Sequence, residues 1–213
     1  MPRAFNPPSM LQAVDLSCIR GTRRLFQCLG FSISAGEALC VRGENGAGKT
    51  SLLRILAGLS QPATGEVRWR DAPIARCREA YAAQLVFIGH ANALKEDLSA
   101  VENLRAASAL AGVACDAEAV RAGLSAEGLN DVADLPVQWL SQGQRRRVAL
   151  TRLALSRGQP LWILDEPFSA LDQTAVQRVC RRIEAHAAQG GVVVFTTHQD
   201  VELSVQSRSL ELR

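Results

Sequence analysis

Three short stretches of this sequence bring together residues suited to binding and cleaving phosphate. Gly43-Glu44-Asn45-Gly46-Ala47-Gly48-Lys49-Thr50 satisfies G-x-x-x-x-G-K-[ST] in full. Glycines at this spacing let the backbone wrap a phosphate chain with its N–H groups turned inward. The helix that follows, through Ser51, offers its positive end, and the Thr50 hydroxyl suits Mg²⁺. Leu161-Trp162-Ile163-Leu164 ends in two adjacent acids, Asp165 and Glu166. At the end of a buried strand, Asp165 would hold Mg²⁺ through water, while Glu166 would face a γ-phosphate and orient or deprotonate the attacking water. His198 closes a further apolar run; a neutral imidazole there would hydrogen-bond the γ-phosphate and help position Glu166. Taken singly, each stretch has a plainer reading: a Gly-rich turn, a pair of capping acids, a structural histidine.

The surrounding pattern supplies elements that would bring these stretches together. Strand and helix alternate, which implies a mainly parallel sheet with helices on its faces. Glu37–Arg42 reads as the strand before the phosphate loop, and Lys49–Ala57 has helical apolar spacing that stops at Gly58. Pro160–Leu164 and Val192–Thr197 suit strands buried on both faces. Leu11–Cys18 and Leu29–Ile33 look like strands of an antiparallel layer, and Glu66–Trp69 alternates as a half-exposed strand would. From about Ala91 to Ala133 the composition is helix-forming, with no convincing strand. Leu171, Val176, Val179 and Ile183 give the helix between the two buried strands one apolar stripe, and His186 on that helix reads as solvated or merely packed.

In order and spacing, the chain from Leu11 onward resembles the ATP-binding subunits of ABC transporters. Gly43–Thr50 corresponds to their Walker A loop and Leu161–Glu166 to Walker B. Leu140-Ser141-Gln142-Gly143-Gln144 corresponds to the signature, Ser169-Ala170-Leu171-Asp172 to the D-loop and His198 to the switch histidine. The resemblance implies an α/β fold: a RecA-like P-loop NTPase core with an antiparallel β layer and an inserted helical subdomain. The implied layout is a short disordered lead over residues 1–9 and one ATPase domain over 10–213. Within it, the core covers 10–90 and 157–213 and the helical subdomain about 91–156. It also implies ATP and Mg²⁺ as ligands, with Thr50, Asp165 and His90 at the metal, and Glu166 and His198 as the catalytic pair. The signature of each chain would close over the ATP of a second copy, so one chain is half of the enzyme.

Ile88-Gly89-His90, Ala93-Leu94-Lys95, Glu102-Asn103-Leu104, Leu161–Phe168 and Thr196–Gln199 are similar to the haem-exporter ATPases of bacterial cytochrome c maturation. That narrower resemblance implies a peripheral place on the cytoplasmic face of the inner membrane, beneath integral membrane subunits contacted near His90 to Leu98. Turnover would drive haem export or release of a haem-loaded chaperone. The alternatives are an ATPase subunit for another small cargo and a soluble ABC ATPase acting on ribosomes or DNA. The latter usually carries two ATPase units or a long coiled coil, and neither is visible here. Two departures stand out. His90 occupies the loop position where the family usually has glutamine, and imidazole changes charge near physiological pH; it is a metal-side group or simply a loop residue. Where the family stacks an aromatic on adenine, the count falls near Arg20, whose guanidinium plane could stack on a purine or merely be solvated. Tyr81 is the only tyrosine.

Bulk properties agree with one well-buried domain. The chain has 213 residues, 47% hydrophobic and 21% charged, with a net charge of +3. That charge carries no nucleic-acid footprint, and Arg145-Arg146-Arg147, without nearby aromatics, reads as basic residues on the helix opened by the signature. Lys49 and Lys95 are the only lysines among 24 basic residues. A chain so biased toward arginine still places a compact ammonium in the phosphate loop, where a planar guanidinium would not fit. Six scattered cysteines without a Cys-x-x-Cys pair imply buried, reduced thiols. No stretch approaches the roughly 20 apolar residues of a membrane span, and the N-terminus has no apolar signal region; the expectation is a cytosolic chain.

Overall fold

The computed structural model describes residues 9–113, 115–156 and 158–212. The disordered lead expected over 1–9 therefore falls outside the described residues except for Ser9, which opens the first strand. The expected boundary at residue 157 is outside them too.

Two sheets enclose the phosphate-loop helix. Strands β1 (Ser9–Arg20), β2 (Arg23–Ser34), β4 (Thr64–Trp69) and β5 (Ala72–Pro73) pair antiparallel in the order β2-β1-β4-β5. Strands β3 (Ala38–Gly43), β6 (Leu85–Ile88), β7 (Leu161–Leu164), β8 (Val192–Thr196) and β9 (Ser207–Leu212) form a parallel sheet in the order β6-β7-β8-β3-β9. Helix α1 (Lys49–Leu56) lies between the sheets, its Leu52, Leu53, Ile55 and Leu56 packed with Leu11, Leu16 and Ile33 on one side and Leu161, Ile163, Val192 and Val194 on the other.

The all-apolar strands are buried on both faces, as their composition requires. Trp162, Leu164, Val193 and Phe195 point away from α1 and pack on α6 (Gln173–Ala188) through Val179 and Ile183. His186 on α6 stacks on Trp162, with ring centroids 3.8 Å apart and planes 7° from parallel, so it is a packed residue. The short helix α2 (Arg78–Ala82) leads into β6. Helices α3 (Ala100–Leu110), α4 (Ala117–Ala126) and α5 (Gln142–Leu155) follow, sharing a core of Leu104, Val120, Leu124, Leu140 and Val148. Leu150 and Leu153 of α5 pack instead against the parallel sheet, so α5 joins the helical insert to the core and belongs to both.

The sequence pattern left β6, β9 and α2 unread. β6 is four residues long, too short for periodicity to speak, and β9 is a largely exposed edge strand with alternating polar residues. The cysteine reading needs correction. All six thiols are free, but only Cys18 and Cys40 are buried, and Cys28 is exposed on the outer strand β2. A scattered spacing excludes pairing without fixing burial.

Candidate active site

The phosphate loop joins β3 to α1 at the C-terminal edge of the parallel sheet. Gly48 precedes the helix with φ 103°, and a Cβ there would stand 3.0 Å from the Leu25 side chain, so only glycine fits without displacement. No side chain caps α1 and no acid occupies its first turn, which leaves its N–H groups and dipole free for an anion. Lys49 is buried and donates from Nζ to the Gly43 carbonyl at 2.8 Å and to the Glu44 carbonyl at 3.2 Å. The ammonium is thus held inside the loop by neutral acceptors, which a phosphate oxygen would outbid.

An open cleft of about 670 Å³ lies over this loop. Asn45, Gly46, Gly48, Lys49, Thr50 and Ser51 line it from the loop, Asp165, Glu166 and Ser169 from beyond β7, His198 from beyond β8, and His90 from beyond β6. Gly43, Glu44 and Ala47 do not line it; the first two serve it through Lys49. Thr50 Oγ1 donates to Asp165 Oδ2 at 2.8 Å, and Thr196 Oγ1 donates to Asp165 Oδ1 at 2.8 Å. Glu166 N–H in turn donates to Thr196 Oγ1 at 2.8 Å. Glu166 has φ 50°, a left-handed conformation unusual for a carboxylate residue. Its Oε1 is buried without a hydrogen bond and lies 3.4 Å from His198 Nε2. A carboxylate oxygen so placed has a free lone pair at the cleft floor. Phe168 is fully buried and meets Phe195 edge-on at 6.0 Å, which anchors the turn that presents Glu166.

Thr50 and Asp165 present hard oxygen donors side by side, and His90 adds a nitrogen at the same rim. Among the described residues no cluster of three or more His, Cys, Asp or Glu could hold a metal alone. This donor set suits Mg²⁺, which keeps waters and takes phosphate oxygens rather than filling an all-protein cage.

The expected signature residues stand apart from this cleft. Ser141 caps α5: its Oγ accepts from Gln144 N–H at 3.2 Å, and Gln144 Oε1 accepts from Ser141 N–H at 2.8 Å. The motif is therefore a capping box, with Ser141 and Gln142 exposed and Leu140 buried. Gly143 sits against the expected D-loop; a Cβ there would be 2.7 Å from the Ala170 carbonyl oxygen. Asp172 caps α6 by accepting from Ala175 N–H at 2.7 Å, and Leu171 packs beside that helix.

Arg20 lines the cleft at the β1–β2 turn beside Arg23 and Leu25, and among the described residues no Phe, Tyr or Trp does. Tyr81 is buried elsewhere, its hydroxyl donating to the Leu56 carbonyl at 2.6 Å. Arg23 carries no local motif, and only the hairpin brings it to the site. The three consecutive arginines are used inside the molecule. Arg145 donates to the Leu140 and Gln138 carbonyls, Arg147 to the Glu127 carbonyl, and Arg146 is buried beneath the Asp165–Glu166 turn. Burial draws the Arg146 guanidinium below its ordinary value, and the charges of Asp165 and Glu166 oppose that shift.

Comparison with known proteins agrees with this geometry. The profile of the family described as "ABC transporter" matches residues 26–169. The chain is 49% identical over 203 residues to the cytochrome c biogenesis ATP-binding export protein CcmA of Aromatoleum aromaticum, covering 95% of each. It is 49% identical over 194 residues to the protein of the same description from Pseudomonas aeruginosa, covering 91% of this chain and 95% of that one. A solved ATP-binding subunit of an ABC transporter superposes with a TM-score of 0.78 at 28% identity, over 89% of this chain and 80% of that one.

Proposed function

The chain belongs to the ABC transporter family of ATP-binding subunits, and we propose that it is the ATP-hydrolysing subunit of a transporter-type complex in cytochrome c biogenesis. In this reading, turnover drives haem export or releases a haem-loaded chaperone. The observation that carries the hydrolytic part is the convergence of Lys49, Thr50, Asp165, Glu166 and His198 on one cleft over the start of α1.

ATP binds with its phosphates against the N–H groups of Gly46 and of Gly48–Ser51, and Lys49 turns from the loop carbonyls to phosphate oxygens. Thr50, Asp165 and His90 would hold Mg²⁺, which when bound neutralises charge on the phosphates. Glu166 Oε1 accepts a hydrogen bond from the attacking water and aligns it with the γ-phosphorus. His198, 3.4 Å from that oxygen, donates to the γ-phosphate and fixes the side of Glu166 on which water is held. Thr196 and Asp165 lock the turn, so little reorganisation is needed at the moment of reaction. Arg20 and Arg23 are assigned to the base and ribose end of the nucleotide, where a guanidinium plane covers a purine in place of an aromatic ring.

The exposed α5 terminus bearing Ser141 and Gln142 lies outside its own cleft and completes that of a second copy. Its helix dipole and Ser141 hydroxyl meet the γ-phosphate bound by the partner. Isolated chains accordingly turn over ATP slowly until two copies are held together. No helix is long and apolar enough to cross a membrane among the described residues. Attachment to integral membrane subunits is assigned to the stretch from His90 to Leu98, much of which is exposed.

The test of the hydrolytic assignment is Glu166→Gln, which keeps ATP binding and abolishes turnover; wild-type turnover in that variant contradicts it. The test of the biogenesis role is disruption of the gene, with loss of covalently haemylated c-type cytochromes expected and their normal accumulation contradicting it.

A further inference from the structure

We infer that Arg146 is a positioning residue that couples the signature helix of one ATP site to the water-orienting carboxylate of the other, an inference that rests on the function proposed above. The Arg146 side chain leaves α5 and runs into the core, where the residue is 3% exposed. Its Nη2 donates to the Asp165 carbonyl at 2.7 Å and the Glu166 carbonyl at 2.9 Å. Its Nη1 donates to the Gly89 carbonyl at 2.9 Å and to Asn92 Oδ1 at 3.1 Å. One planar fork therefore holds both carbonyls of the catalytic turn together with the loop that carries His90.

Three physical points give this fork more than a packing role. The Glu166 backbone is in the left-handed region, which is unfavourable for a non-glycine residue and persists only where the surroundings fix it. Arg146 fixes it from the carbonyl side, while Thr196 fixes it from the N–H side. The acceptor set also demands a guanidinium: four acceptors are divided between two nitrogens of one planar group, and an ammonium on a flexible stem would serve only some of them. Finally, Arg146 lies within about one and a half turns of the Ser141 cap and about half a turn beyond Gln144 on the same helix. The α5 terminus cannot shift without pulling on the Asp165 and Glu166 carbonyls. In the paired enzyme, that terminus rests on the nucleotide of the second copy. The occupancy of one site is thereby conveyed to Glu166 of the other, in both directions by symmetry.

The test compares the full-length wild type with Arg146→Lys, Arg146→Gln and Asn92→Ala over a protein concentration series that saturates pairing. Trp139 supplies an internal signal. It is 70% exposed immediately before Leu140, whereas Trp69 and Trp162 are each 4% exposed, so emission that responds to ATP reports docking of the α5 terminus. Arg146→Lys should retain ATP affinity and the Trp139 response to within about twofold while kcat falls about tenfold to a hundredfold, as for a small displacement of a catalytic group. The Hill coefficient for ATP should fall toward one. Asn92→Ala, which removes one of the four acceptors, should lower kcat by about threefold; if Arg146→Gln fails to fold, these two milder variants decide. Wild-type kcat and Hill coefficient in Arg146→Lys overturn the inference, as does an equal loss of ATP affinity and kcat, which marks a structural role only. Failure of the underlying reading looks different: the wild type would not hydrolyse ATP, or Glu166→Gln would hydrolyse it normally.

Discussion

Thr196→Val isolates the contribution of one hydroxyl to this site. Thr196 is 0% exposed and Asp165 2%. The hydroxyl donates to Asp165 Oδ1 and accepts from Glu166 N–H, both at 2.8 Å. Valine has nearly the same shape, so the substitution opens no cavity and the loss is polar. Removing a hydrogen bond to an ionised carboxylate costs about 1.5–3 kcal/mol, and leaving a buried N–H without a partner costs about 1–3 kcal/mol. The two losses share one turn and are not additive, so the combined loss is expected to be roughly 3 kcal/mol, near the lower end of their sum.

Urea unfolding measures it. With a slope of about 3 kcal/mol per molar, the midpoint should fall by about 1 M. ATP turnover should fall at the same time by about tenfold, because the Glu166 turn is then held from its carbonyl side only. Thr196→Ser, which keeps the hydroxyl, should recover most of both losses. A midpoint within about 0.2 M of wild type would show that the hydroxyl is dispensable, and the network reasoning would be wrong.

Two other changes probe the elements around the site. Gly143→Ala introduces a Cβ 2.7 Å from the Ala170 carbonyl oxygen. Overpacking of about 1–3 kcal/mol outweighs a helix-propensity gain of up to about 1 kcal/mol, so unfolding in urea should come earlier, and a stabilised variant contradicts the contact. Burial pushes the His186 imidazole below its ordinary value, opposed by its hydrogen bond to the Pro160 carbonyl. The unfolded chain therefore binds the proton first as pH falls. The stability from neutral His186 is complete above an unfolded value of about 6.5 and is lost as pH drops through the folded value. His186→Phe keeps a ring on Trp162 and removes the titration. Its unfolding midpoint should depend less on pH than that of wild type below about pH 6.5, and an equal dependence refutes the assignment.

The parts of the fold most legible in the sequence are those with a local physical signature. Leu161–Leu164 and Val192–Thr196 suit strands buried on both faces, and Gly43–Thr50 suits a glycine turn before a helix. Arg146 was not legible in this way. In the sequence it is the middle of three arginines, and nothing local tells a solvated cation from one buried under a strand end. Arg23 likewise reaches the cleft only because β1 and β2 pair, which brings their turn over the phosphate loop. Thr196 reads as one more β-branched strand residue until β7 and β8 are adjacent. Contacts between distant segments decide these roles, and they leave no period in the chain.

In the signature, a local rule and the proposed shared site meet in the same residues. Ser141 and Gln144 satisfy a capping box, so the serine–glutamine spacing is required to start α5 even in a single copy. Gly143 is required by the Ala170 carbonyl behind it. Each intrachain demand makes the terminus rigid, and rigidity is what the proposed contact with a partner's phosphate would need, since a preorganised donor stabilises developing charge without rearranging. With Arg146 tying the same helix to the Glu166 turn, a displacement at the terminus has a direct mechanical route to the carboxylate. Under the proposed function, pairing would do more than cover the nucleotide: it would set the geometry in which Glu166 aligns a water.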